Sequence, residues 1–436
     1  MARKPGRYAL LFIFLTVVLN MIGLGVIMPI MPALIMDVTG QDLSHAAKWG
    51  GTLTFAYALM QFLMMPVIGG LSDHYGRRPV LLISMGAYSF DFLMMAIAPS
   101  IGIILVARVL AGAFAATFST ANAYIADITP PEKRAANFGL LGAAFGLGFI
   151  IGPAIGGFLG EQIGTRAPFY FVAMLGAANL LLGFFVLPET LAPENRRSFE
   201  WKRANAFGSF KQLAQYPIML PIAGVLFLSQ LAHWAYPSVW AYFAIEKFSW
   251  SEGAVAASLS FVGLSAALVQ GGLTRIIIPM IGERASAISA LTVTVISYIA
   301  FSLITTGWMA YAVIAFSALG GLAQPALQGI MSRTIPANAQ GELQGAIAAV
   351  MSMSMVISPW VMTQIFAAFI DPGKPFIIFN VTVLPNGAPF YFPGAPFVFS
   401  AAIEAFALVM LFVAFRRITR PAKTKPQISG AAHLQD

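Results

Sequence analysis

The stretch GGLSDHYGRRPVLL (Gly69 to Leu82) places Asp73, His74, Arg77 and Arg78 between two long apolar runs. Charged residues make up only 10% of the chain, so their concentration in one short segment is informative. A short polar turn between two apolar runs is typical of a chain that leaves a lipid bilayer and immediately re-enters it. The stretch therefore predicts a polytopic membrane protein.

The composition of the whole chain supports this prediction. Its 436 residues are 58% hydrophobic and 13% aromatic, whereas a soluble domain carries about 25% charged residues. A helix needs roughly 20 mainly apolar residues to cross a bilayer. Twelve such runs lie between charge clusters and Pro or Gly breaks, at 8–34, 50–70, 79–98, 101–125, 136–160, 168–188, 217–240, 253–278, 285–305, 308–332, 343–370 and 396–415.

The runs are long and lack the alternation of barrel strands, so we expect helices, which satisfy every backbone polar group in lipid. The first run follows basic residues, as in a signal peptide. It is about twice the usual length of a secretory apolar region and has no small-residue cleavage pattern after it, so we expect a retained span. The chain has no cysteine, which excludes disulfides and thiolate metal sites.

The basic residues are distributed unevenly between the two sides of the membrane. If both termini are cytoplasmic, Lys48, Arg166, Lys247 and Lys374 lie outside and Arg108 lies within a span. The positive-inside rule then predicts cytoplasmic termini, and the net charge of +8 needs no nucleic-acid partner. The cytoplasmic basic residues are Arg3, Lys4, Arg7, Arg77, Arg78, Lys133, Arg134, Arg196, Arg197, Lys202, Arg203, Lys211, Arg275, Arg284, Arg333, Arg416, Arg417, Arg420, Lys423 and Lys425.

Two halves of the chain resemble each other at a fixed spacing. Pro336 of RTIPANAQG follows Pro130 of DITPPEKR by 206 residues, and Pro359 follows Pro153 by the same number. GGLTRIIIPMIGER (271–284) is a degenerate copy of the opening stretch. The predicted organisation is an N-terminal six-helix bundle (1–188), a cytoplasmic linker (189–216), a C-terminal six-helix bundle (217–420) and a disordered cytoplasmic tail (421–436).

The predicted fold class is therefore all-α integral membrane, with twelve transmembrane helices in two pseudo-symmetric bundles. Such bundles can rock about a site near the bilayer midplane, as alternating-access transport requires. An intramembrane enzyme is not expected, because HExxH and GxSxG are absent and two of the four histidines, His45 and His433, lie in a loop and the tail. The external segment 371–396, rich in Pro, Gly and aromatic residues, is expected to be a cap or spacer.

Three motifs, in order and on matching spans, resemble those of the major facilitator superfamily. They are GGLSDHYGRR between spans two and three, RVLAG (Arg108 to Gly112) in span four, and a glycine pattern in span five. The third is similar to the antiporter signature of the twelve-span drug/proton branch. NMIGLGVIMPIMP, YALMQFLMMP, FGLGFIIGPAIGGF and LQGIMSRTIP make the chain most similar to the tetracycline/proton antiporters, over nearly its whole length.

In the opening stretch, Gly76 permits a tight turn and Gly69 a close helix approach. Asp73 can meet a basic residue or a helix N-terminus of the neighbouring bundle, which would hold the cytoplasmic side shut. The alternative is that Arg77 and Arg78 only set the membrane topology; that alternative does not explain Asp73.

The glycines of span five predict close helix packing. Residues of this kind let two helices meet at backbone contact, and a proline bends the helix that contains it. We expect a stiff seam between the halves that restricts leak. The residues are Gly139, Gly148, Gly152, Pro153, Gly156 and Gly157.

Asp91 and Arg108 are charges within predicted spans, where each costs about 2.5 to 3.5 kcal/mol on insertion scales. Each lies roughly 10 Å from the outer end of its own span at 1.5 Å per residue. Because spans three and four are antiparallel neighbours, the two side chains are predicted to approach each other. They form either a structural ion pair or a coupling element in which protonation of Asp91 releases Arg108.

Two further ionisable groups lie in spans. Glu404 in span twelve is a proton site, attracts a cationic substrate, or snorkels into the cavity mouth. His233 in span seven, near Tyr236 and Trp240, is a proton carrier or a hydrogen-bonded core residue. Polar and aromatic side chains of which several are expected to face a central substrate cavity are Asn20, Tyr57, Gln61, Asn122, Gln230, Trp234, Gln324 and Gln328.

The chain departs from the tetracycline antiporters at three polar positions. Asn20 and Thr294 stand where the resemblance implies aspartates, and Ala266 stands at about the position of a histidine. The family ligand binds as a metal chelate and needs carboxylate or imidazole partners, so these losses argue against tetracycline itself. They also leave Asp91 as the residue expected to bind the coupling proton, with Glu404 or His233 as a second proton-binding group.

The sequence therefore predicts a secondary transporter that exports small amphipathic organic compounds in exchange for protons. Asp91 and Arg108 would couple proton movement to substrate transport. Asp73 with Arg77 would form the latch that holds the cytoplasmic gate closed. The alternative is a proton-independent facilitator or metabolite transporter of the same fold. We expect a monomer in a bacterial inner (plasma) membrane, with no cofactor, no metal site and no nucleic-acid partner.

Overall fold

The computed structural model of the protein describes residues 7–115, 117–201, 220–334, 340–378 and 381–418, and they are almost entirely helical. In chain order the elements are α1 (Arg7–Thr39), α2 (Leu43–Tyr75), α3 (Arg77–Ile97), α4 (Ile101–Ala113), α5 (Thr117–Ile128), α6 (Pro131–Gln162), α7 (Ala167–Val186), α8 (Leu220–His233), α9 (Ala235–Phe248), α10 (Glu252–Leu268), α11 (Thr274–Ile281), α12 (Glu283–Leu303), α13 (Gly307–Ser317), α14 (Ala323–Thr334), α15 (Gln340–Ile370), β1 (Phe376–Ile378), β2 (Val381–Leu384) and α16 (Ala395–Ile418).

Eleven helical segments within the described ranges are long and apolar enough to cross a membrane. Span four consists of α4 and α5, span eight of α10 and α11 joined by a π-helical turn, and span ten of α13 and α14 joined by a 3₁₀ turn. The remaining span, span seven, consists of α8 and α9. The twelve-helix architecture expected from the sequence is therefore confirmed.

Span seven differs from its prediction as one helix over 217–240. It is broken at Trp234, and its second helix continues to Phe248. Pro237 explains the break, because a proline has no N–H to donate to the carbonyl four residues earlier, here that of His233. Each piece has 14 residues and is about 21 Å long, less than the roughly 30 Å of the hydrocarbon core, so neither piece spans alone.

The internal repeat is visible in the backbone. Gly76 and Gly282, which are 206 residues apart, separate α2 from α3 and α11 from α12 with positive φ angles of 109° and 80°. The interruption of span four at Phe114 and the 3₁₀ turn of span ten at Gly320 have the same spacing. The two halves thus share turn and break positions as well as prolines. The boundaries proposed for the bundles stay a prediction, and residues 202–216 of the predicted linker and the predicted tail (421–436) lie outside the described residues.

The glycines of span five divide between two interfaces. A side-chain atom on Gly148, Gly152 or Gly156 would meet the backbone of span one, within the same half. Gly157 lies against Glu252 and Ala256 of span eight, in the other half. The expected single seam between the halves was therefore wrong in its extent, because most of this pattern packs span five onto span one.

The two halves meet at the end of the molecule that carries the segment 371–394, named here the cap end. Ser44 Oγ donates to the carbonyl of Ala367 at 3.2 Å, and Gln364 Nε2 donates to the carbonyl of Lys48 at 3.4 Å. These bonds join spans two and eleven. A buried apolar cluster that includes Leu34 and Trp240 fills the space between the halves at this end.

Spans five and eight close the other side of the same end. Ser260 Oγ donates to the carbonyl of Ile150 at 3.0 Å. The Glu161 carboxylate lies against Gly253, and the Glu252 carboxylate lies against Gly160. Each carboxylate therefore fills the space that a side chain would occupy if the opposite residue were not glycine.

The halves separate towards the opposite end, named here the gate-loop end because it carries residues 69–82. Among the described residues, the contacts between spans two and eleven involve residues 44–62 of span two, and Ile150 of span five contacts Ser260 of span eight. Nearer the gate loop, Gly139, Gly142 and Gly146 of span five have no described atom within 4 Å of the position of an added side chain. In the described ranges the halves are thus in contact at the cap end and separated at the gate-loop end.

The segment 371–394 forms a small cap. Its strands β1 and β2 pair antiparallel, and the amide of Phe392 donates to the carbonyl of Phe369 at 2.9 Å. The Tyr391 hydroxyl donates to Glu246 Oε1 of α9 at 2.7 Å. Burial, together with this carboxylate, raises the pKa of Tyr391 to about 12, so the hydroxyl keeps the proton that holds the cap to span seven at ordinary pH.

A substitution in span five tests the packing of spans one and five. In Gly152→Val the new Cβ would lie 2.5 Å from the carbonyl oxygen of Ile22, so span one must shift. We expect a loss of at least about 1–3 kcal/mol, the range for overpacked sites, measured as a lower melting temperature of the purified protein. Gly139→Val makes the same change on the same helix in open space and should melt close to wild type. Equal melting of the two variants would contradict the packing assignment.

Candidate functional site

An ion pair lies inside the first half. On α3, Asp91 belongs to the buried face that includes Ser84 and Met95 at helical spacing, and on α4 Arg108 continues the buried face of Ile104 and Ala111. These patterns turn both charges towards the interior. Arg108 Nε donates to Asp91 Oδ1 at 3.0 Å, and a second guanidinium nitrogen contacts Oδ2. The predicted approach of the two side chains is confirmed.

The pair is shielded from water. Asp91 is 2% exposed and Arg108 is 7% exposed. The Tyr57 ring of span two lies under the guanidinium, with 5.0 Å from Cζ to the ring centroid, a geometry that favours the cation. A two-point contact and an aromatic face satisfy Arg108.

Glu404 lies between spans twelve and seven. It is 1% exposed, so the alternative that it snorkels into a cavity mouth is wrong. Ser229 Oγ of α8 donates to Glu404 Oε1 at 2.7 Å. Within the described residues Oε2 has no hydrogen-bond partner.

His233 is the last residue of α8, at the break in span seven. It lies deep within the bundle, and its side chain keeps accessible surface. In the part of the chain that the structure describes its ring forms no hydrogen bond. Its role as a proton carrier or as a core residue stays a prediction. Trp234, directly after it, is half-buried.

Several of the expected cavity residues are satisfied by backbone carbonyls. Asn20 and Asn122 donate to the carbonyls of Thr16 and Phe118, four residues earlier on their own helices. Gln61 donates to the carbonyl of Ala115 at 3.3 Å, a carbonyl freed by the interruption of span four.

The second half contributes fewer polar contacts. Gln324 Nε2 contacts Met351 Sδ at 3.6 Å, Gln328 is half-buried and Gln230 is buried. Thr294 donates to a carbonyl of its own helix. No group of three or more His, Cys, Asp or Glu side chains that could hold a metal ion occurs in the described ranges.

The gate loop forms a cluster of ion pairs within the first half. Arg77 donates to Asp73 Oδ1 at 2.6 Å and to Asp127 Oδ2, at the end of span four, at 3.2 Å. Gly76 makes the tight turn that the sequence predicts. Gly69, in contrast, has no described atom within 4 Å of an added side-chain atom, so its predicted close helix approach is absent from the part of the chain that the structure describes.

Glu189, which the sequence analysis missed, completes this cluster. Its Oε1 accepts the amide of Arg77 at 2.9 Å and its Oε2 accepts that of Arg78 at 3.1 Å. A carboxylate at this place satisfies free N–H groups at the start of α3 and opposes the positive end of the helix. The amide of Arg197 donates to the carbonyl of Asp73 at 3.1 Å, so the start of the linker is attached to the gate loop.

The second half repeats one of these ion pairs with its charges exchanged. Arg77 and Asp127 correspond, 206 residues later, to Glu283 and Arg333, and Arg333 binds Glu283 Oε1 at 3.0 Å. The side chain of Arg333 is 79% exposed. Position in the repeat is the sequence signal that could have identified both Asp127 and this second pair.

The comparisons with known proteins agree with the twelve-helix fold. The family model described as Major Facilitator Superfamily matches residues 13–359. The tetracycline resistance protein, class C, of Escherichia coli is 39% identical over 83% of this chain and 90% of its own length. The Hippocampus abundant transcript 1 protein of Mus musculus is 28% identical over 85% of this chain and 78% of its own.

Two solved structures are similar in fold. A bacterial homolog of the human lysosomal transporter Spinster, in an inward-facing and occupied conformation, has a TM-score of 0.74 at 17% identity and covers 95% of this chain and 98% of its own. The human organic anion transporter MFSD10 (TETRAN) has a TM-score of 0.66 at 20% identity, over 94% of this chain and 100% of its own.

Removal of the Glu189 carboxylate tests its role at the gate loop. In Glu189→Ala the amides of Arg77 and Arg78 lose their acceptor, at a cost of about 1–2 kcal/mol as for other helix caps. We expect amide hydrogen exchange at the start of α3 to accelerate about 5- to 30-fold, measured by mass spectrometry. Glu194→Ala, an exposed acid on the same segment, should leave this exchange unchanged. If these amides exchange at a similar rate in Glu189→Ala and in the wild type, water replaces the carboxylate as hydrogen-bond acceptor without loss of stability, and the assigned role is contradicted.

Proposed function

The chain belongs to the major facilitator superfamily, a family of membrane transporters, and on that premise we propose that it exports small amphipathic organic compounds or drugs in exchange for protons. The observation that carries the proposal is the closure of two duplicated halves at one end and their separation at the other. This is the geometry of one end state in an alternating-access cycle. The chain is a multi-pass transporter, and its substrate and coupling are the proposed parts.

The orientation follows from the distribution of charge. With both termini in the cytoplasm, nearly all basic loop residues lie on the gate-loop side, as the positive-inside rule requires. The open end then faces the cytoplasm, and the structure is the inward-open state, able to take a substrate from inside the cell. A bacterial inner membrane fits the bacterial tetracycline resistance relatives.

The substrate class rests on the relatives and on the lining of the open space. Relatives named for tetracycline resistance make an antibiotic the first candidate. Asn20 and Thr294 bond to their own helices, and Ala266 offers no polar atom, so carboxylate and imidazole anchors for a metal chelate are missing at these positions. An amphipathic drug held mainly by apolar, aromatic and amide groups fits better.

Coupling to protons is assigned first to Asp91 and Arg108. The pair is buried and links spans three and four. A proton on Asp91 would cancel its charge and release Arg108, which changes the packing around Tyr57 beside the space between the halves. Glu404 and His233 are the further ionisable groups within the spans, and both lie in the second half.

Proton flux in proteoliposomes tests the function. An internal pH dye should report proton movement when one compound of a drug panel, tetracycline included, is added to the wild type. Asp91→Asn should fold but lose this signal together with gradient-driven export, whereas Asp37→Asn, an exposed acid at the cap end, should keep both. Undiminished export by Asp91→Asn would exclude its coupling role. Drug movement without protons would favour a facilitator, and no response to the whole panel would indicate a metabolite as the ligand.

The gate latch is tested by accessibility. In the inward-open state Asp73 pairs with Arg77 in its own half, which leaves it able to meet an exposed base such as Arg333 when the cytoplasmic end closes. Asp73→Asn should weaken that closed state and populate the inward-open one. Ala47, which is 0% exposed at the cap end, then becomes harder to label as a single introduced cysteine in a chain that has none of its own.

The matched control for the latch is Glu194→Gln, which removes a negative charge on the same side without touching the cluster. Labelling at position 47 should fall several-fold in Asp73→Asn and stay at the wild-type rate in the control. Identical labelling of all three proteins would remove the latch from the mechanism.

A further inference from the structure

The two buried acids of the spans have different surroundings. Asp91 is neutralised by Arg108, whereas Glu404 forms no ion pair within the described part of the chain, accepts one hydroxyl and keeps Oε2 without a partner. A carboxylate that is 1% exposed and lacks a cation is costly in a low-dielectric interior, and it becomes neutral by binding a proton. Glu404 therefore has the surroundings of a proton-binding group.

Within the described residues, the helices packed on span twelve supply no cation that pairs with Glu404. α8 supplies Ser229, and His233 follows four residues later on the same helix. α12 supplies Tyr298, which lies near Glu404 and whose hydroxyl donates to the carbonyl of Ala232 at 2.9 Å. Span eleven has no ionisable side chain between Leu343 and Ile370. The remaining charged or titratable residues in the sequences of these helices are Tyr236, Tyr242, Glu246 and Lys247 on α9, Glu283 and Arg284 at the start of α12, and Glu342 at the start of α15.

The carboxyl-terminal end of α8 also disfavours the ionised form of the Glu404 carboxyl. The helix ends at His233, four residues after Ser229, and the end of a helix carries partial negative charge. Carbonyls of its last turn already accept bonds from side chains of neighbouring spans: Ser358 donates to Leu231 at 2.6 Å and Tyr298 donates to Ala232. The partial negative charge of this helix end therefore opposes ionisation of the Glu404 carboxyl while His233 is neutral.

One face of α8 offers two groups that can pass a proton to Glu404. His233 and Ser229 are four residues apart, a rise of about 6 Å along one side of α8. The His233 side chain has accessible surface, whereas Ser229 bonds the Glu404 carboxyl. An imidazole can accept a proton on one nitrogen and release one from the other, and a hydroxyl can pass a proton on.

We infer that Glu404 binds a proton that enters from the space between the halves through His233 and Ser229. The carboxylate becomes a carboxylic acid, and the proton returns by the same groups when the pH rises. The second half then has its own proton site, separate from the Asp91–Arg108 pair of the first half. The inference deepens the proposed antiport and rests on it for its place in the transport cycle, but not for proton binding itself.

Infrared difference spectroscopy of the reconstituted protein between low and high pH tests the site without any substrate. The wild type should show the carbonyl-stretch band of a buried protonated carboxyl. Glu404→Gln should lose this band, Glu404→Asp should shift it, and Asp91→Asn should keep it. A spectrum of Glu404→Gln identical to that of the wild type would overturn the assignment. If Glu404→Gln does not fold, a band in Glu404→Asp at the wild-type position would overturn it equally.

The route is tested separately by a pH jump. In His233→Gln the band should reach its full amplitude but rise at least several-fold more slowly, whereas His45→Gln, which lies at the start of α2, should behave as wild type. Equal rates in all three proteins would exclude His233 as the entry. A Glu404 band without substrate-driven proton flux in the wild type would refute the proposed antiport and leave the site intact. Substrate-driven proton flux in the wild type, together with an unchanged infrared band in Glu404→Gln, would refute the proton site at Glu404 and leave the proposed antiport intact.

Discussion

The structure depends on one constraint: the hydrocarbon core of a bilayer offers no hydrogen bonds to a polar group. The backbone satisfies this constraint by helix formation, and each break in a span is compensated locally. Gln61 bonds the carbonyl of Ala115 at the interruption of span four, and Ser238 bonds that of Trp234 beside the break in span seven. Helix interruptions are therefore tolerated where a polar side chain or the aqueous space between the halves replaces the lost bond.

The same constraint gives the two halves different interiors. Asp91 and Arg108 satisfy each other, so the first half buries a pair without net charge. The second half buries the unpaired carboxyl of Glu404. A half packed by glycine contacts between spans one and five thus faces a half whose buried carboxyl depends on a proton. The two halves share their helix arrangement and differ in the ionisable groups that they bury.

Most of the fold followed from the sequence, because apolar length and the positions of Pro and Gly are local properties. The number of spans, the repeat and the approach of Asp91 to Arg108 are of this kind. Glu189 could not be predicted, because its partners at the start of α3 are more than a hundred residues away. The packing partner of most glycines of span five was predicted wrongly, because small residues predict close packing without identifying the partner helix; Gly157 alone of Gly148, Gly152, Gly156 and Gly157 lies against the other half.

Each half closes its own ion pair at the gate-loop end. The first half carries its arginine at the start of span three and its acid at the end of span four, and the second half carries Glu283 and Arg333 at the same places in reverse. Each half therefore supplies both the charge and the counter-charge at this place and does not depend on the other half for either. A pair keeps its attraction when both of its members are exchanged together, so the two halves retain the same interaction at this position with unlike residues.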